Sequence, residues 1–221
     1  MIKKTITLLR KDIMLMEKYS LLAVLILVAF PVFLNYAIKG SAGPTYVMFL
    51  SLDFCAFVVF GQIYLMESKY KGMTYLMVCP FTRAQMIVAR YVLLLLICGL
   101  GAGCYKVLEL INPGQLFSSN TNISISQMVI AVSIVLIAYD VLIPILNNCV
   151  YEKVKVVHAV LSVIIPVWGA ILVKSLLQHF RISLTINEVS NIGAAVLLVF
   201  DVILTVVSVG INRKFWEKRE F

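Results

Sequence analysis

The chain has 221 residues, of which 62% are hydrophobic and only 14% charged, with a formal net charge of +8. A soluble domain carries about 25% charged and about 45–50% apolar residues. The composition therefore excludes a disordered chain, a disulfide-stapled secreted domain and an ordinary cytosolic enzyme, and its apolar excess must be solvated by lipid.

In chain order, residues 1–19 come first as an amphipathic arm. Ile6, Leu9, Ile13 and Met16 recur at helical steps, while Lys3/Lys4, Arg10/Lys11 and Glu17/Lys18 recur every seven residues on another face. Such a helix lies in the plane of the lipid headgroups. Residues 20–221 then form a six-helix transmembrane domain, because a span needs about 20 predominantly apolar residues. The stretches 20–38, 45–66, 86–105, 128–146, 156–173 and 192–211 fit that length. None alternates with period two, which excludes a barrel, so the class is an all-α membrane protein. Reading residues 1–43 as a cleaved signal is weaker. The apolar run has 19 residues, against about 7–15 for a signal core.

Between the second and third spans, segment 67–85 is polar, yet keeps Tyr70, Met73, Leu76 and Met77 at helical spacing. Pro80 should end that short helix. Thr82 with Gln85 three residues on reads as a capping box that starts the third span. Loop 106–127 carries Asn112, Pro113 and Gly114, then a Ser/Asn/Thr-rich stretch at 118–122, and the tail occupies 212–221. Connections on that outer side are too short for a folded domain.

Fifteen of the nineteen Lys and Arg residues fall on one side of these spans and four on the other. By the positive-inside rule both termini are cytoplasmic. The positive charge then addresses anionic headgroups and not nucleic acid. The five cysteines include no C-x-x-C pair, and a disulfide framework is not expected. His158 and His179 are far apart on opposite sides, so no metal is implied.

Three carboxylates lie within the spans: Asp53, Asp140 and Asp201. Such groups face a partner or a water-filled cavity. Asp201, Thr205, Ser208 and Asn212 make one polar stripe; Ser126, Ser133, Asp140 and Asn147 make another. Asp53 and Asp201 fall at similar depth. Either they line a cavity that draws a cationic or amphipathic substrate, or they are protonated or hydrogen-bonded packing groups. Gly99 and Gly103 form a G-x-x-x-G pattern expected at a close-packing face. Pro31, Pro144 and Pro166 permit kinks. No H-E-x-x-H or G-x-S-x-G motif is present to support an intramembrane hydrolase.

The arm Leu8-Leu9-Arg10-Lys11-Asp12 and the run Glu67, Gly72, Pro80-x-Thr82-Arg83, Val88-x-Arg90-Tyr91 resemble the permease subunits of the ABC-2 family of ATP-driven exporters. Cys79 replaces the family's usual Leu and Arg90 its usual Lys. The small size and short outer loops look most like bacterial exporters of amphipathic peptides, of the phenol-soluble modulin exporter type. The resemblance implies an ABC-2 (type V exporter-like) fold in the bacterial cytoplasmic membrane. It also implies that 67–83 is a coupling helix for an ATPase, with Glu67, Lys71, Gly72, Tyr75, Pro80 and Arg83 as its residues. No G-x-x-x-x-G-K-[ST] loop occurs here, so ATP and Mg would be bound by a partner. Two ATPase copies and a second permease copy, as a homodimer, would complete the unit. Asp53, Asp140, Asp201 and Thr205 are the candidate substrate-pathway residues, and the chain itself is expected to be neither catalytic nor cofactor-bound. Lantibiotic immunity, drug or lipid export, and peptide sequestration without transport are the alternatives.

Overall fold

The computed structural model describes residues 2–16, 18–38, 44–69, 82–111, 123–148 and 191–217, with the single positions 156 and 160. The described elements are all α-helices: α1 (Ile2–Met16), α2 (Lys18–Ile38), α3 (Pro44–Lys69), α4 (Arg83–Ile111), α5 (Ile125–Asn148) and α6 (Asn191–Glu217). Among the described residues, four segments are long and apolar enough to cross a membrane: Thr45–Glu67, Ala84–Ile111, Ile125–Asn147 and Gly193–Lys214. They coincide, within a few residues at their ends, with the expected second, third, fourth and sixth spans. The expected first span falls within α2, which meets α1 at 86°. The expected fifth span, 156–173, lies outside the described residues, as do both histidines and Pro166.

Two of the described helices begin at readable caps. At the head of α4, Thr82 N–H donates to Gln85 Oε1 at 3.1 Å and Gln85 N–H donates to Thr82 Oγ1 at 3.3 Å. This is the expected capping box, and it satisfies two otherwise orphaned donors. A second box that the sequence reading missed opens α5. Ser124 N–H donates to Gln127 Oε1 at 3.0 Å, and Gln127 N–H donates to Ser124 Oγ at 3.2 Å.

The far end of α4 corrects the expected boundary. Its helix continues through Lys106 to Ile111 instead of yielding to a loop at 106. Lys106 Nζ pairs with Glu109 one turn later at 2.7 Å and donates to the Ile123 carbonyl at 2.9 Å. Glu109 Oε1 in turn accepts from Ile123 N–H at 3.1 Å. Two charges that neutralise each other do not end a helix, and here they tie α4 to the residues leading into α5.

The pairings across the bundle fix helix directions. Tyr139 donates to the Asp53 carbonyl and Tyr64 to Asn147, so α3 and α5 run parallel. Thr205 reaches Asp140 and Asn147 reaches Asn212, so α5 and α6 also run parallel. α4 runs against all three. The core lies along α3, where Ala56, Phe60 and Ile63 are buried against Tyr139, Ile143 and Leu94. In lipid such contacts stabilise through close packing and hydrogen bonds, because the surroundings are as apolar as the core.

Two expectations about helix faces change. A Cβ at Gly101 would lie 2.2 Å from Leu52 Cδ2 and 3.1 Å from Leu27 Cδ2, whereas at Gly99 and Gly103 nothing among the described residues lies within 4 Å. The close approach is thus made at Gly101 and not along the G-x-x-x-G pair. In α1 the buried edge is Leu8, Asp12 and Met16, while Ile6 and Ile13 stay exposed. An apolar count misses that edge because a carboxylate stands in its middle.

Candidate functional site

The polar interior starts where α1, α3 and α4 converge. Glu67, near the end of α3, is buried and accepts from Lys11 Nζ of α1 at 2.7 Å and from Arg90 Nη2 of α4. Lys11 also pairs with Asp12 at 2.9 Å. The Arg90 guanidinium carbon lies 4.2 Å from the centroid of the Tyr64 ring, a cation–π contact. Glu67 faces two cations at once, and pairing of this kind is what permits a buried charge. Burial pushes the Asp12 carboxyl above its ordinary value, with the Arg90 and Lys11 charges opposing.

From this cluster a hydrogen-bonded chain runs down the bundle. Tyr64 donates to Asn147 Oδ1 at 2.9 Å, and Asn147 Nδ2 donates to Asn212 Oδ1 at 3.2 Å. Asn212 Nδ2 donates to the Tyr91 hydroxyl at 3.2 Å. Tyr91 and Ser208 hydroxyls are 2.6 Å apart, and Ser208 donates to the Asp140 carbonyl. Thr205 closes the series by donating to Asp140 Oδ2 at 2.9 Å. Each donor in this direction has one acceptor, so the chain is internally consistent. Its members come from α3, α4, α5 and α6.

The chain ends at a cavity of about 480 Å³ between α4, α5 and α6. Leu95, Met128, Val132 and Leu136 make its walls mostly apolar, and Tyr91, Ser133, Asp201 and Thr205 supply the polar groups. Asp201 is 3% exposed. Neither of its carboxylate oxygens has a well-formed hydrogen bond among the described residues. On one side the lining residues Leu198, Val202 and Val206 of α6 are themselves exposed, so the cavity opens laterally there.

The candidate residues therefore separate. Asp201 and Thr205 line the cavity, and Asp140 stands behind Thr205. Asp53 is buried on α3 and is not among the lining residues, so of the two carboxylates expected at similar depth only Asp201 faces this cavity. Similar depth on two spans does not bring side chains to one face. Glu67 sits in the ion cluster. Lys71, Gly72, Tyr75 and Pro80 lie outside the described residues, and Arg83 begins α4 with its side chain outside them.

The two polar stripes expected on the fourth and sixth spans do meet, through Asp140, Asn147, Thr205, Ser208 and Asn212. Reading by apolar count missed Tyr64 and Asp12. Tyr64 counts as hydrophobic, and Asp12 sits in a basic arm. The signal that could have found Asp12 is its step of four from Leu8 and Met16.

The family described as ABC-2 family transporter protein matches residues 7–217. No curated protein and no solved structure matches the chain.

Proposed function

The chain belongs to the ABC-2 transporter family, and from that premise we propose that it is the permease subunit of an ABC exporter of amphipathic peptides. Membership makes it a multi-pass membrane component of a transporter, and the family implies an ABC ATPase subunit as partner. In the proposed unit two permease copies and two ATPases assemble. Each permease has six spans with both termini in the cytoplasm, α1 lies in the headgroup plane, and segment 67–85 engages the ATPase through Lys71, Tyr75 and Arg83.

The observation that carries this reading is the buried Glu67–Arg90 pair. Glu67 stands near the end of the helix before the coupling segment, and Arg90 lies in the helix after it. A pair across the base of the segment makes α3 and α4 move together when its tip is pulled, and Lys11 adds α1 to the same body. ATPase closure can shift the permease only by engaging one of its conformations better than the other. The hydrogen-bonded chain from Tyr64 to Thr205 offers that difference a physical route to the cavity, and rearranging it is what distinguishes the two conformations.

Co-purification with the cognate ATPase tests the reading, comparing wild type with a Tyr75→Ala/Arg83→Ala double variant. Complex formation lost in the variant, together with ATP turnover raised by an amphipathic peptide in the wild type, supports coupling and substrate class. Turnover indifferent to peptides removes the peptide and keeps the permease. The absence of any complex favours a peptide-sequestering protein.

A further inference from the structure

The cavity between α4, α5 and α6 combines three properties that the permease reading does not require. Among the described residues it is mostly apolar, Asp201 is the one charged residue of its lining, and its open side is the apolar outer face of α6. A carboxylate in the hydrocarbon region is costly unless it finds a partner or water. Both Asp201 oxygens are buried without a well-formed hydrogen bond among the described residues: the Ser133 hydroxyl approaches the carboxylate, and no described cation pairs with it. Thr205 spends its proton on Asp140. The complement to this site is a positive charge that enters from lipid.

We propose that the cavity is a binding site for a lipophilic monocation, a single positive centre on an apolar body, whose charge pairs with Asp201. An anion is repelled by Asp201 and by nearby Asp140, and a neutral apolar molecule leaves the carboxylate unpaired. A volume of about 480 Å³ falls within the roughly 300–1,000 Å³ of small-molecule pockets. A helix about 10–12 Å wide, rising about 5.4 Å per turn, fills that space with about one turn. The occupant is therefore a small cation or a single Lys side chain of an amphipathic peptide, and not a whole peptide helix. The low dielectric around the site strengthens the charge pairing. The proposal rests on the permease reading only for what happens to the ligand after binding.

The test uses the purified full chain without any ATPase, so that its failure is distinct from failure of the transporter reading. Radiolabelled tetraphenylphosphonium is the probe, with tetraphenylborate as the anion of matching shape. Saturable binding is expected, weakened at least about tenfold by Asp201→Asn and retained in Asp201→Glu. Asp53→Asn, which changes a buried carboxylate outside the cavity, should bind as wild type does. Met128→Trp, which fills the cavity and leaves the carboxylate intact, should also abolish binding, and tetraphenylborate should not displace the probe. No saturable binding, equal binding by wild type and Asp201→Asn, or displacement by tetraphenylborate overturns the proposal. Displacement by a Lys-bearing amphipathic peptide but not by its norleucine counterpart supports it with the side chain as occupant. Displacement by neither supports it with the small cation as occupant.

Discussion

Glu67 and Asp12 belong to one buried cluster, yet their charges act in opposite senses. Glu67 takes two cations, Lys11 and Arg90, and removing it leaves Arg90 buried beside Tyr64 without its anion. Breaking a buried pair from one side costs about 3–5 kcal/mol, so Glu67→Gln should lower the midpoint of thermal unfolding in detergent. Asp12 has its carboxyl raised by burial. The stability linked to such a raised acid is fully present below its ordinary value and is lost as pH rises through the folded one. At neutral pH its charge is therefore a cost, and Asp12→Asn should leave the midpoint unchanged or raise it. A fall as large as that of Glu67→Gln would show that Asp12 is an equal partner in the cluster. Tyr91→Phe probes the other end of the chain, since its hydroxyl joins Asn212 to Ser208. Loss of that hydroxyl should cost about 1–3 kcal/mol, read by the same unfolding experiment. Glu67 and Arg90 were legible through their resemblance to a family pattern. Asp12 belongs to the same pattern, but its burial was not legible, because it depends on α4 packing over it.

Helix ends were more legible than helix faces. Thr82 and Gln85 announce the start of α4 because a reciprocal cap needs only four residues. The end of α4 depends on Lys106 meeting Glu109 and Ile123, a tertiary fact that a hydropathy window reads as a boundary. Faces depend on neighbours still more. Gly99, Gly101 and Gly103 look alike in sequence, but only Gly101 receives Leu52 and Leu27. Overpacking costs about 1–3 kcal/mol, whereas Gly to Ala in an open helix position gains up to about 1 kcal/mol. Gly101→Ala should therefore destabilise the protein and Gly99→Ala should not, as read by thermal unfolding of the two purified variants. A comparable loss in Gly99→Ala would mean that another surface closes on that face.

At the scale of the molecule, the spans and the side on which cations gather follow from composition, because lipid imposes them on any sequence. The cavity does not follow from composition. It exists because α5 and α6 run parallel with Asp140 and Thr205 in contact, and no periodicity in either helix reveals that they are partners. The same register bears on the unseen crossing. Parallel neighbours place the end of α5 at Asn148 and the start of α6 at Asn191 at opposite ends of the bundle. The six-span expectation requires one return crossing between them, and the apolar stretch 156–173 has the length for it. Cysteines introduced singly at Asn148 and Asn191 in a cysteine-free chain decide the matter with a membrane-impermeant maleimide. With cytoplasmic termini, Asn191→Cys should label on intact cells and Asn148→Cys only after permeabilisation. The reverse pattern would keep the crossing and invert the protein. Labelling of both from one side would require an even number of crossings between α5 and α6, and six spans would then be untenable.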